Sequence, residues 1–139
     1  MSYYFSTTLQ TTFSGALDRT RRALQSEGFG VISEIDIQKT LKEKIGADFR
    51  PYTILGACNP VLAYEALRME DKVGAMLPCN VVVQESSDGV EVAAIDPVAS
   101  MQAIPNQELA RKATLVAAKL KNVIEMLATD AKVAIPTSA

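Results

Sequence analysis

Hydrophobic and polar residues repeat at two different periods along this 139-residue chain, and the changes of period predict its elements. Segments rich in β-branched and aromatic residues, with alternating or continuous apolar positions, are predicted as strands over 3–9, 29–35, 52–58, 78–85 and 89–95. Apolar residues spaced three and four apart predict helices over 13–27, 37–45, 60–69 and 106–128. The segment 70–77 is predicted as a loop or a frayed turn, and 98–105 as an apolar connection.

In two of these strands the pattern also predicts which face individual residues occupy. Phe29, Val31 and Ile35 are expected on one face of the second strand. Ile54 and Leu55 are neighbours in the third strand, so they face opposite ways. This pair predicts a central strand that is buried on both sides.

The last helix carries a long apolar stripe whose members are spaced alternately four and three apart. They are Leu109, Ala113, Val116, Leu120, Val123 and Leu127. The stripe must be buried, either on the sheet of its own chain or against a second chain. Its length favours the first, because two and a half heptads form only a marginal coiled coil. Residues 129–139 are expected to form a loosely held tail after a single domain over 1–128.

The order of elements, β-α-β-α-β-α-β-β-α, predicts an α+β fold. We expect a two-layer sandwich in which a mixed, largely antiparallel sheet carries helices mainly on one face. The order of elements leaves the relative direction of the third and fourth strands open. If the strands that end at Cys58 and begin at Cys79 run parallel, the two thiols lie a strand length apart; if the strands run antiparallel, the thiols could be neighbours.

Composition narrows the choice of partner. A net charge of −2 gives no electrostatic footprint for nucleic acid. The first residues lack the pattern of a signal peptide, and no segment is apolar for long enough to span a bilayer, so we expect a cytoplasmic protein without a membrane partner. In a reducing compartment, the two cysteines are expected to be free thiols.

The chain contains no histidine, which removes catalytic triads and most zinc sites together. We therefore expect no bound metal and no cofactor, and the sequence identifies no catalytic residue. Glu65, Glu85 and Asp96 are candidates for a general acid or base, but strand-end roles explain Glu85 and Asp96. Taken together, these observations are against an enzymatic function.

Both cysteines stand directly before an asparagine, in Ala57-Cys58-Asn59-Pro60 and in Pro78-Cys79-Asn80. Asn59-Pro60 is a strong helix start. The free amides of that start, with Tyr64 and Asn80 nearby, could hold an anion or another polar ligand, whereas a plain N-cap needs no ligand. The thiols of Cys58 and Cys79 could take part in redox chemistry or bind a soft metal such as copper(I). Met69, Met76 or Met101 could then supply a further sulfur ligand. A buried cysteine is, however, more often a small hydrophobic residue.

These motifs, with Asp96-Pro97 and the long last helix, resemble the pattern of the domain of unknown function 302 family over nearly the whole chain. The resemblance implies a small mixed α/β sandwich, commonly a dimer, and it implies no activity. We therefore expect a homodimer that binds a small molecule near its two cysteine motifs. The candidate ligand-binding residues are Cys58, Asn59, Tyr64, Cys79 and Asn80. The alternative is a thiol-dependent redox or soft-metal-handling protein that uses Cys58 and Cys79.

Overall fold

A computed structural model describes residues 2–137, with side chains described as far as residue 129. The strands in this part of the chain are β1 (Tyr4–Leu9), β2 (Gly30–Asp36), β3 (Tyr52–Cys58), β4 (Cys79–Ser86) and β5 (Gly89–Ile95). The helices are α1 (Phe13–Ser26), α2 (Ile37–Ile45), α3 (Pro60–Met69), the short α4 (Pro97–Ser100) and α5 (Gln107–Thr137). A 3-10 turn, Asp71–Met76, occupies the segment that was predicted as a loop or frayed turn.

The five strands form one sheet in the order β1-β5-β4-β3-β2. Every neighbouring pair is antiparallel. The predicted α+β class and the order of strands and main helices are confirmed, and the largely antiparallel sheet is antiparallel in each of its pairs. The helix α5 runs to Thr137, beyond the end predicted at residue 128. Most of the predicted tail lies outside the residues whose side chains are described, so its loose packing stays a prediction.

Capping residues set the boundaries of the first two helices. The Thr12 hydroxyl accepts from the Gly15 amide at the start of α1, and the Asp36 carboxylate accepts from the Lys39 amide at the start of α2. At the end of α1, Gly28 takes a left-handed φ of 86°, and the Phe29 amide donates to the Leu24 carbonyl. This is the Schellman arrangement, and it directs Phe29 back over the end of the sheet.

One face of the sheet is covered by helices and holds the core. Leu9 on β1, Leu55 on β3, Val81 and Val83 on β4, and Val92 on β5 are fully buried there. The stripe of α5 packs on the same face, with Leu120, Val123 and Leu127 fully buried within the single chain. The first of the two alternatives for this stripe is therefore the observed one. Among the described residues, no helix is both long enough and apolar enough to cross a membrane.

The other face of the sheet, which we call the open face, lacks such a cover. Ile54 is only partly buried there, although its neighbour Leu55 is fully buried. The predicted burial of β3 on both sides is therefore wrong within one chain. β3 is nevertheless an interior strand as predicted, because it pairs with β2 on one side and β4 on the other.

The facing of residues in β2 also differs from the prediction. A register shift between Val31 and Ser33 interrupts its pairing with β3. Val31 pairs with Ala57, but Ile35 pairs with Ile54, so the irregularity moves Ile35 to the open face. Ile35 is 45% exposed, whereas Val31 packs against the core. The expected shared face for Phe29, Val31 and Ile35 is therefore wrong, because an alternation read from sequence cannot show a bulge.

Candidate functional site

A small cavity lies between α3, α5 and the end of the sheet where β3 finishes and β4 begins. Its volume is about 40 Å³. The lining is mostly apolar and comes from residues before, within and after these elements: Phe29, Ala57, Cys58, Asn59, Leu62, Ala63, Ala66, Leu77, Pro78, Cys79, Met101, Leu109, Lys112, Ala113 and Val116. Both cysteine motifs therefore meet at one cavity.

The register of β3 and β4 brings the two cysteines together. Cys79 lies opposite Ala57, the residue directly before Cys58. Opposed residues of an antiparallel pair are about 5 Å apart at their Cα atoms. Of the two arrangements that the sequence left open, the antiparallel one with neighbouring cysteines is observed. Both cysteines are free thiols.

The two thiols differ in environment. Cys79 is 6% exposed, whereas Cys58 is half-buried. Burial raises the pKa of Cys79 to about 11, and the nearby Cys58 adds to this shift because a second negative charge is unfavourable there. Cys79 is consequently a protonated thiol at neutral pH and a weak nucleophile.

Asn59 is the N-cap of α3. Its side-chain oxygen accepts from the Leu62 amide at 3.2 Å, and its carbonyl accepts from the Ala63 amide at 2.9 Å. The Asn59 amide nitrogen faces Gly28, where an added Cβ would lie 3.1 Å from it. The capping role predicted for Asn59 is therefore present, and it joins the Gly28 turn to the edge of the cavity.

Two of the five candidate residues do not line this cavity. Tyr64 is 62% exposed on the outer side of α3, with the Arg68 guanidinium 5.6 Å from its ring centre. Asn80 is exposed and contributes to a shallow depression on the open face with Tyr3, Tyr4 and Tyr52. Asn80 follows Cys79 in β4, and successive residues of a strand point to opposite faces, so its side chain lies on the face opposite that of Cys79. The structure thus brings together Cys58, Asn59 and Cys79.

Lys112 is a cavity residue that the sequence analysis missed. Its side chain is 27% exposed, and its ammonium lies 3.2 Å from the Glu65 carboxylate. Lys112 also lines an outer groove of about 610 Å³ between α3 and α5, together with Glu65, Arg68, Met69, Glu108, Arg111 and Leu115. The available signal was its position: Lys112 directly precedes Ala113 in the buried stripe of α5.

The remaining charged candidates have structural partners. Asp96 caps α4 by accepting from the Val98 amide at 3.0 Å, and Glu65 is paired with Lys112. Glu85 is exposed near the β4–β5 hairpin. Among the described residues, no group of three or more Cys, Asp or Glu side chains is placed to hold a metal ion. The arrangement is that of a mostly apolar cavity lined by two cysteines and one lysine, not that of an acid–base pair.

Fold and site together define a small α+β domain with a half-covered antiparallel sheet and one cavity at the sheet end. The sequence matches the family described as "Domain of unknown function DUF302" over residues 5–127. The chain therefore belongs to this family.

One solved structure shows how far the fold is shared. The crystal structure of an uncharacterized conserved DUF302 protein from Bacillus stearothermophilus is 26% identical to this chain and superposes with a TM-score of 0.84. The match covers 90% of this chain and 98% of that one. No curated protein matches the sequence.

Proposed function

We propose that this protein is a small-ligand-binding module whose site is the cavity between α3, α5 and the sheet end. The main support is that a mostly apolar cavity lies beside a larger charged groove, and that Lys112 lines both. Pockets for small molecules combine apolar walls with a few fixed polar groups in this way. The free thiols agree with a cytoplasmic setting.

The sizes of the two spaces favour an amphiphilic ligand. A cavity of about 40 Å³ exceeds the roughly 10 to 15 Å³ that one water needs, but it is much smaller than the engineered cavity of about 150 Å³ known to bind benzene. It therefore suits a short alkyl end. The groove has three cationic and two acidic side chains, so an acidic group of the ligand suits the Lys112 side.

The test is an NMR titration of the reduced protein with butyrate and hexanoate and with the matching alcohols. We expect the carboxylates to shift the amides of Cys58, Asn59 and Lys112, with weaker binding in Lys112→Met. Lys119→Met, also on α5 but outside both spaces, is the control and should bind as the parent does. If neither the acids nor the alcohols perturb cavity amides at millimolar concentration, the proposal is wrong.

We further propose that the protein acts as a homodimer joined through its open face. Ile35, Ile54 and Val82 lie in one row across this face, and antiparallel sheets usually present polar residues to water instead. The charges on this face are joined: the Arg50 guanidinium donates to the Gln84 amide oxygen at 2.9 Å, and Gln84 donates to the Glu91 carboxylate at 3.0 Å. An identical copy therefore meets no row of unpaired like charges.

The dimer is tested by solution mass from light scattering. We expect the parent to give the mass of two chains and Val82→Asp to give a folded monomer, because the charge falls in the middle of the apolar row. Ser14→Asp, on an exposed position of α1, is the matched control and should leave the mass unchanged. A parent chain that is monomeric at micromolar concentration contradicts the proposal.

A thiol function is the second candidate, and the neighbouring free cysteines favour it. Two thiols that lie close together can be oxidised to a disulfide by a dithiol–disulfide partner, which is itself reduced. Cys58→Ala and Cys79→Ala separate the candidates. A ligand binder should keep butyrate or hexanoate binding with only a packing loss, whereas thiol–disulfide exchange requires both cysteines.

A further inference from the structure

β1 forms one edge of the sheet, and this edge lacks the features that keep a strand from pairing with another chain. Among the described residues, β1 pairs with β5 alone, in one unbroken register over its six residues. The strand contains no proline, and no charged side chain precedes Asp18 in the chain. The opposite edge, β2, has a register shift after Val31 and carries Glu34 and Asp36. Because charges and bulges protect a sheet edge, β2 is protected and β1 is not.

The hydrogen bonds of β1 show which of its backbone groups point away from the sheet. The Asp96 amide donates to the Tyr3 carbonyl at 2.8 Å, so Tyr3 is bonded toward the β5 side. In an antiparallel pair only every second residue is bonded to the neighbouring strand. The N–H and C=O groups of Tyr4, Ser6 and Thr8 are therefore directed to the free edge.

Tyr4 has a partner for these outward groups within its own chain. The Ser2 hydroxyl donates to the Tyr4 carbonyl at 2.8 Å and accepts from the Tyr4 amide at 3.3 Å. Ser6 and Thr8 are exposed, and within the described part of the chain no hydrogen bond occupies their outward backbone groups. Two neighbouring edge residues thus offer free donors and acceptors.

The free groups of Ser6 and Thr8 are complementary to those of a second copy. When two β1 strands lie antiparallel with each Thr7 opposite its own equivalent, Ser6 of one chain lies opposite Thr8 of the other. Such a pair exchanges both of its N–H···O bonds, so the twofold arrangement satisfies the free groups of both residues in both chains. We propose that the β1 edges of two copies pair in this register, so that the sheet continues from one chain into the next.

This interface differs from the open-face dimer proposed above, and it is smaller. The side chains that it places opposite each other, Ser6 with Thr8 and Thr7 with Thr7, are uncharged, so no like charges oppose the contact. One short strand pair nevertheless buries little area, as in transient complexes. We therefore expect the edges to pair at roughly 0.1 to 1 mM and the open-face dimer to be present alone at micromolar concentration.

The experiment is sedimentation equilibrium from about 10 µM to 1 mM, with the parent and with Val82→Asp, which is designed to remove the open-face dimer. We expect Val82→Asp to pass from the mass of one chain to the mass of two, and the parent to pass from two chains to four. Because Val82→Asp reports edge pairing without the open-face contact, the two interface proposals fail separately.

Proline tests the backbone bonds in the Val82→Asp background. Ser6→Pro removes an N–H that points to the free edge and no bond to β5, and edge strands tolerate proline at such positions. We expect the dissociation constant to rise by at least about 10-fold, because each Ser6–Thr8 pair loses a bond. Ser6→Ala keeps the N–H, so this matched control should associate as Val82→Asp alone does.

Charged variants and hydrogen exchange test the register. In the same background, Ser6→Lys with Thr8→Lys places like charges opposite each other and should prevent association. Ser6→Lys with Thr8→Glu places opposite charges there and should restore it. Exchange of the Ser6 and Thr8 amides should slow as the concentration of Val82→Asp rises, whereas the Thr7 amide, already bonded to β5, should not change.

Specific results overturn the proposal. A mass of one chain for Val82→Asp at the highest concentration does so, and it leaves the edge free for a strand of another protein. Equal dissociation constants for Ser6→Pro and Ser6→Ala also overturn it. If Ser6→Pro fails to fold by circular dichroism, the two charged variants decide, and equal masses for them contradict the register. Concentration-dependent protection of β2 amides instead would place the contact at the other edge.

Discussion

The two faces of the sheet are built from the same five strands but have different surroundings. On the covered face, Leu55, Val81 and Val92 are fully buried under the helices. On the open face, Ile54 and Val82 are only partly buried. Aliphatic residues at both faces of interior strands would be expected if both faces were covered. Apolar residues on one face of a strand therefore show that this face needs to be covered, but they do not show whether the cover comes from the same chain.

Adjacent residues of β4 provide the sharpest test of this comparison. Val81→Asp places a carboxylate in the core, and we expect it to lower the free energy of unfolding by at least about 4 kcal/mol or to abolish folding. Val82→Asp should cost about 1 kcal/mol in the monomer, because its carboxylate reaches water. Urea unfolding of both variants measures the difference. Similar losses would show that the open face is covered within one chain.

The adjacent residues Cys79 and Asn80 are expected to affect the pH dependence of stability differently. The pKa of Cys79 is raised from 9.0 to about 11, so above pH 9 the unfolded chain loses this proton before the folded chain does. Stability is therefore fully present below about pH 9 and decreases as the pH rises toward about 11, by about 2 kcal/mol from this group.

The measurement is the free energy of unfolding between pH 8 and 11. We expect the Cys79→Ala variant to show a flatter pH dependence than the parent, since it lacks the buried thiol. The Asn80→Ala variant, changed at the next residue but on the open face, should keep the slope of the parent. Equal slopes for the parent and Cys79→Ala would show that burial does not perturb this thiol.

Gly56 tests how closely the open face is packed near the cavity. A Cβ at this position would overlap the Ser33 hydroxyl and would lie 2.7 Å from the Pro78 ring. Gly56→Ala therefore forces a shift, and we expect it to cost about 1 to 2 kcal/mol, in the range of overpacked sites.

The double variant Ser33→Ala with Gly56→Ala separates the two contacts. It removes the nearer one, so part of the loss should return in thermal unfolding. The remaining loss reports the contact with Pro78. A single variant as stable as the parent would contradict this close approach of β2 and Pro78 to Gly56.

Much of this fold can be predicted from the sequence because its signals are local. The caps Thr12, Asp36 and Asn59 and the glycine after α1 act within a few residues, and all are observed. The apolar stripe of α5 has a strong period, and its burial in the chain follows from its length. The bulge in β2 has no such signal, because it depends on pairing with β3.

The candidate site was harder to predict, because it depends on strand direction. The cysteine motifs identified one end of the sheet, but only the antiparallel pairing of β3 with β4 makes Cys58 and Cys79 neighbours. Asn80 follows Cys79 in the sequence, yet alternation along the strand places it on the opposite face. Lys112 reaches the cavity from a helix that begins many residues later, so no motif in the sequence links it to the cysteines.

Gln84 gives the smallest expected effect and the finest test of the open face. Its side chain accepts from Arg50, just before β3, and donates to Glu91 on β5, so it joins two opposite charges. Because these groups are partly exposed, Gln84→Ala should cost the monomer only about 0.5 to 1 kcal/mol. In a dimer joined through this face, however, the change leaves Arg50 and Glu91 without their shared partner in a drier environment. The dissociation constant from dilution in light scattering should then rise by about 10-fold, more than the monomer loss alone explains. An unchanged constant would place the seam of any dimer away from this ladder.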